Sequence, residues 1–118
     1  MEIVSNILVV DDNRNNLELL SDILKLEGYY VRTADNGASC LKAVARERPD
    51  LILLDIMMPG IDGYKVCATL KKQPATCDIP IIFISAKTSA EDTVVGLSHG
   101  ADDYIQKPYN EMELLARV

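Results

Sequence analysis

Asp11, Asp12, Asp55, Ser85 and Lys107 are the residues of this chain best placed to do chemistry, because each comes at the end of a short strand-like run. Ile7-Leu8-Val9-Val10 leads into Asp11-Asp12, Leu51-Ile52-Leu53-Leu54 into Asp55, Ile81-Ile82-Phe83-Ile84 into Ser85, and Asp103-Tyr104-Ile105-Gln106 into Lys107-Pro108. Three carboxylates gathered on one rim repel one another unless a cation is present. Hard oxygen ligands with open positions suit Mg²⁺, which prefers octahedral geometry, keeps several waters and is usually completed by a phosphate oxygen. Lys107 adds a point charge for phosphate, and the Ser85 hydroxyl a hydrogen bond. A metal, a phosphate-sized anion and a carboxylate nucleophile together describe phosphoryl transfer to an aspartate, a known form of covalent catalysis.

These residues share a site only if the chain folds so that the strand ends coincide. A fully apolar run of four or five residues reads as a strand buried on both faces, as in a parallel sheet covered by helices. In open α/β sheets, ligands bind outside the carboxyl ends of the strands. Strand and helix signals alternate five times, with no repeat, linker or low-complexity stretch between them. After a first strand at about Ile7–Val10, a helix carries Leu17, Leu20 and Leu24 on one face and is ended by Gly28. Tyr30–Ala34 reads as the second strand, and Ala38, Leu41 and Val44 give the next helix its stripe, stopped before Pro49.

Leu51–Leu54 is the most apolar strand and the expected sheet centre. The turn-rich Met58-Pro59-Gly60-Ile61-Asp62-Gly63 follows, then a helix turning Gly63, Val66, Cys67 and Leu70 to the core, with Asp62 as candidate cap. Ile79–Ile84 is the fourth strand, with Pro80 near its start, where a missing N–H is tolerated. Ser89, with Glu91 and Asp92, opens a helix running to about His99 and ended by Gly100. Tyr104–Gln106 is the last strand, and 110–118 opens a last helix. Five such units with short connections imply right-handed crossovers and a doubly wound parallel α/β sheet with helices on both faces. Because the last helix has no closing cap at Val118, a longer parent protein is expected.

With 118 residues, 48% of them hydrophobic, the chain is one domain with enough apolar surface for a real core. A net charge of -6, from 18 acidic and 12 basic residues with no basic stretch, disfavours direct contact with nucleic acid. No apolar run approaches membrane-spanning length, and Met1–Ser5 has no signal-peptide character, so a cytoplasmic setting is expected. Cys40, Cys67 and Cys77 lack metal or redox spacing and are expected as buried, reduced thiols.

Five pieces of the sequence resemble the receiver domain of two-component response regulators, over nearly the whole length. They are Val9-Val10-Asp11-Asp12-Asn13, Leu53-Leu54-Asp55-Ile56-Met57-Met58-Pro59-Gly60-Ile61-Asp62-Gly63, Ile84-Ser85-Ala86, Gly100-Ala101-Asp102-Asp103-Tyr104-Ile105-Gln106 and Lys107-Pro108-Tyr109. The resemblance implies a flavodoxin-like, five-stranded sheet of order 2-1-3-4-5. It also implies a receiver domain over residues 1–118, with an output domain possible beyond it. By this resemblance Asp55 is the phosphoacceptor, taking a phosphoryl group from a sensor histidine kinase or phosphotransfer protein. Asp12 would ligate Mg²⁺ directly, Asp11 mainly through water, and Met57 through its backbone carbonyl. Lys107 would pair with Asp55 and then with the phosphoryl group, Ser85 would bond a phosphoryl oxygen, and Tyr104 would swing in behind it. The Lys107–Pro108 bond is expected to be cis. The face formed by residues 89–118 would carry the output, by docking a further domain or by homodimerisation. The protein would catalyse only its own phosphorylation and dephosphorylation.

Other readings compete for the same residues. Asp11 and Asp12 also suit a helix N-terminus, Asp55 and Ser85 a turn, and Lys107 an ordinary surface. A phosphohydrolase with an aspartyl nucleophile would need a second acid at Met57, and a flavin carrier a glycine-rich phosphate loop where Asp11-Asp12-Asn13 stands. A receiver that binds partners without phosphorylation would have less need of the full acid set. Asp102 and Asp103 precede the fifth strand, on the opposite rim, and read as a solvated turn. His99 reads as a surface partner of a helix C-terminus, and Tyr29-Tyr30 as edge packing. Met57 and Lys87 occupy positions that in the family tune the lifetime of the phosphorylated state.

Overall fold

The alternation of apolar strands and amphipathic segments folds as one parallel sheet sandwiched by helices. A computed structural model describes residues 5–56, 63–85 and 103–106. The elements run β1 (Asn6–Val10), α1 (Arg14–Leu26), β2 (Tyr30–Ala34), α2 (Gly37–Arg46), β3 (Leu51–Asp55), α3 (Gly63–Lys71), β4 (Ile81–Ser85) and β5 (Asp103–Gln106). All pairings are parallel, in the order β2-β1-β3-β4-β5. The expected helices over 89–99 and 110–118 lie outside the described residues, as do Met57, Lys87, His99, Asp102 and the Lys107–Pro108 bond.

Side-chain parity along the strands splits the core in two. Leu8 and Val10, Ile52 and Leu54, and Ile81 and Phe83 face α2 and α3, meeting Cys40, Val44, Val66, Cys67 and Leu70. The alternate residues Ile7, Val9, Leu53, Ile82 and Ile84 face α1, meeting Leu20, Ile23 and Leu24. A strand buried on both faces needs an apolar residue at every position, which is why β1, β3 and β4 read as unbroken runs. Each such side chain, fully buried, contributes on the order of 1.5–3 kcal/mol relative to exposure. Tyr64 of α3 meets Phe83 of β4 edge-to-face, with ring centroids 5.3 Å apart at 87°, tying that helix to the sheet.

The helices start and stop on chemistry visible in the sequence. Asn13 caps α1 by accepting the N–H groups of Asn15 (2.9 Å) and Asn16 (3.2 Å), and Asn36 caps α2 by accepting that of Ser39 (2.8 Å). Gly28 ends α1 in a left-handed conformation (φ +89°). Its N–H donates to the Lys25 carbonyl, and that of Tyr29 to Leu24, the paired bonds of a Schellman turn. The core face of α3, Gly63, Val66, Cys67 and Leu70, is as expected.

Three details differ from the sequence reading. The buried residues of α2 are Gly37, Cys40 and Val44, with Leu41 partly buried and Ala38 exposed, because packing against the sheet turns the face of Cys40 and Val44 inward. Ile79 precedes β4: its N–H closes a turn onto Thr76, and pairing with β3 begins at the Pro80 carbonyl, which accepts from the Ile52 N–H at 3.0 Å. Cys40 and Cys67 are buried, but Cys77 is exposed in the turn after α3. No helix among the described residues is long and apolar enough to cross a membrane.

Candidate functional site

Parallel pairing sends every strand out of the sheet on the same rim. β1 pairs with β3 in the register Val9↔Leu53 and Val10↔Leu54, so one step further on Asp11 and Asp55 come side by side. Both continue the parity of the residues facing α1. Asp55 is also the last residue of β3 in register with β4, opposite Ile84. β4 then ends on Ser85, which pairs with Gln106, the last residue of β5. Tyr104 is the second residue of β5, in register with Phe83. The strand after which Lys107 comes in the sequence therefore leaves on the same rim.

The carboxylate groups of Asp11, Asp12 and Asp55 offer oxygens that all lie within 4.8 Å of one another. Two of the three are buried, Asp11 at 2% exposure and Asp55 at 4%, whereas Asp12 is exposed. Asp12 marks the solvent side of the cluster, at the edge of an open cleft of about 720 Å³ between α1 and β2 that Leu17, Ser21, Lys25 and Thr33 help to line.

Asp11 is oriented by the start of α1. Its Oδ1 accepts the backbone N–H of Asn13 at 2.9 Å, and its Oδ2 accepts the Asn16 side-chain amide at 3.3 Å. Its own N–H donates to the Ala34 carbonyl at 3.1 Å, fastening the end of β1 to the end of β2. The supporting roles of Asn13 and Asn16 were not foreseen from the sequence, although an Asn two places after an acid at a helix start is a signal for such a turn. On the other side of Asp55, the first residue of α3 stands against the strand end: the Gly63 N–H donates to the Ile56 carbonyl at 3.0 Å.

The donor set fits a small hard cation. In an octahedron with bonds of about 2.1 Å, ligand oxygens lie about 3–4 Å apart, so a cluster spanning 4.8 Å closes on Mg²⁺ with little movement. Two buried carboxylates on one side and an exposed one on the other leave positions for water or a phosphate oxygen.

Comparison with known proteins agrees with this architecture. A family model described as the response regulator receiver domain matches residues 7–118. The response regulator PleD of Caulobacter vibrioides is 46% identical over 114 residues, 97% of this chain and 25% of its own length. The DNA-binding response regulator MtrA of Mycobacterium tuberculosis is 46% identical over 112 residues, 95% of this chain and 48% of its own length. The chain thus spans between a quarter and a half of these curated relatives. Among solved structures, the chemotaxis protein CheY4 of Vibrio cholerae superposes with a TM-score of 0.92 at 30% identity, covering 98% of this chain and 96% of the other.

Proposed function

The chain belongs to the response regulator receiver domain family, and from that membership we propose that it is a Mg²⁺-dependent phosphorylation switch in two-component signalling, with Asp55 as phosphoacceptor. The observation that carries this reading is the convergence of Asp11, Asp12 and Asp55 within 4.8 Å at the carboxyl rim of the sheet. A carboxylate oxygen of Asp55 attacks the phosphorus of a phosphohistidine on a partner kinase or phosphotransfer protein. The new O–P bond forms as the P–N bond breaks, and its electron pair stays on the imidazole. Bound Mg²⁺, held by Asp55, Asp12, the Met57 carbonyl and, mainly through water, Asp11, would neutralise charge on the phosphoryl oxygens.

Little covalent work falls to the protein, since such transfers depend mainly on positioning and charge stabilisation. Lys107 pairs with Asp55 and then with the phosphoryl group, Ser85 donates its hydroxyl to a phosphoryl oxygen, and Tyr104 follows inward. Phosphorylation can shift the protein only if the two states hold the phosphoryl group differently. The output face is 89–118, which docks a further domain or a second copy. A parent longer than 118 residues is supported by the lengths of PleD and MtrA, of which the chain matches 25% and 48%. The protein works in the cytoplasm, catalyses only its own phosphorylation and dephosphorylation, and makes no direct contact with nucleic acid through this domain.

The test is incubation with acetyl phosphate, with and without Mg²⁺, followed by intact mass measurement, alongside Asp55→Asn. One added phosphoryl mass that requires both Mg²⁺ and Asp55 is the expected result. No addition to the folded protein would refute the switch and leave a phosphorylation-independent binding module.

A further inference from the structure

Gly63 is the first residue of α3, and it is buried. Among the described residues only Gly28 has a left-handed backbone, so conformational freedom is not what calls for glycine at 63. Space is. A β-carbon built there would lie 2.5 Å from the Asp55 carbonyl oxygen, 2.7 Å from the Ile56 α-carbon and 3.1 Å from the Asp55 carbonyl carbon. All three neighbours are backbone, so no side chain can swing aside to make room. The helix start is also bonded there, with the Gly63 N–H on the Ile56 carbonyl at 3.0 Å.

Neither partner is free to retreat. The end of β3 is gripped between β1 and β4, with Asp55 in register with Ile84. α3 is anchored by Val66, Cys67 and Leu70 in the core and by the Tyr64–Phe83 edge contact. Bringing a β-carbon from 2.5 Å to ordinary contact at 3.4 Å needs about 0.9 Å of movement, centred on the peptide that carries Asp55. A misplacement of about 1 Å near reacting groups can lower a rate about 10²-fold, and Mg²⁺ tolerates little departure from its geometry.

We infer that Gly63 is a positioning residue: its missing side chain lets α3 lean on the backbone of Asp55 and Ile56 and holds the Asp55 carboxylate in reach of Asp11 and Asp12. This rests on the reading of Asp55 as phosphoacceptor. The position matters through the strand end, not through contact with phosphate or metal.

The test compares the wild type, Gly63→Ala and Val44→Ala. Val44 is buried in the same core, on α2, and its truncation weakens the fold away from Asp55. Two quantities are read on folded protein: Mg²⁺ affinity of the unphosphorylated chain by calorimetry, and the rate of phosphorylation by acetyl phosphate by intact mass. Gly63→Ala is expected to bind Mg²⁺ about tenfold more weakly and to react about 10²-fold more slowly. Val44→Ala should stay within about twofold of wild type in both, despite its lower stability. Equal behaviour of the two variants overturns the inference. So does a Gly63→Ala chain that stays unfolded even with trimethylamine oxide, since the glycine is then a requirement of folding itself. A wild type that takes up no phosphoryl group but binds Mg²⁺ refutes the switch alone, and the Mg²⁺ affinities still decide the role of Gly63. A wild type that does neither refutes both.

Discussion

Replacing Asp55 by Asn is expected to stabilise the fold in the absence of divalent ions and to abolish most of the stabilisation that Mg²⁺ brings. The cause is the crowding of three carboxylates whose oxygens lie within 4.8 Å of one another. Two unit charges at that distance repel by about 3.5 kcal/mol at an effective dielectric of about 20. Asp55→Asn relieves two such pairs at once. Salt and the exposure of Asp12 screen one of them, the substitution gives up the proposed pairing of Lys107 with Asp55, and a neutral amide accepts weaker hydrogen bonds than a carboxylate. A net gain of about 1–3 kcal/mol remains. Mg²⁺ works in the other direction: at a hundred times its Kd it stabilises the native state by about 2.7 kcal/mol. The assay is urea unfolding followed by circular dichroism, for both chains, at low ionic strength with a chelator and then with saturating Mg²⁺. In chelator the variant should unfold at the higher urea concentration; with Mg²⁺ the wild-type midpoint should climb while that of the variant barely moves. A variant no more stable than wild type in chelator, or one that gains as much from Mg²⁺, would refute a shared carboxylate cluster.

Two further outcomes follow from the same structure. Gly28→Ala should cost about 1–2 kcal/mol in urea unfolding, all of it backbone strain at φ +89°, since a β-carbon there meets nothing within 4 Å; an unchanged midpoint would show that the Schellman turn relaxes freely. Burial pushes the Cys40 thiol up to about 12, so its folded value exceeds the unfolded one of about 8.5. The stability this represents is full below about pH 8.5 and falls as pH rises towards 12. Stability should therefore decline across that range, less steeply in Cys40→Ala, and iodoacetamide on the native protein at about pH 8 should label Cys77 well before Cys40 or Cys67. Equal labelling of all three would contradict the burial.

Much of this molecule is legible along the chain because its signals are local. Unbroken apolar runs announce strands covered on both faces, and their alternate residues already sort into the two cores that α1 and the α2–α3 pair complete. Gly28 and the stripe of α3 report their own backbone needs within a few residues. The acids could be placed at strand ends, and so on one rim once the sheet was taken as parallel. What stayed hidden depends on segments that meet only in the fold. That Asp11 stands beside Asp55 follows from the register of β1 on β3, forty-four positions apart. Its fastening by Asn13 and Asn16, and the exposure of Asp12 while its two partners are buried, come from how α1 leaves the sheet. The phase of α2 was misjudged because the stripe of Ala38, Leu41 and Val44 is at least as apolar as the buried one of Gly37, Cys40 and Val44, and only packing against the sheet chooses between them. Gly63 reads as one more small residue on a helix; that it touches the backbone of Asp55 is a distance between elements, and apolar period carries no distances.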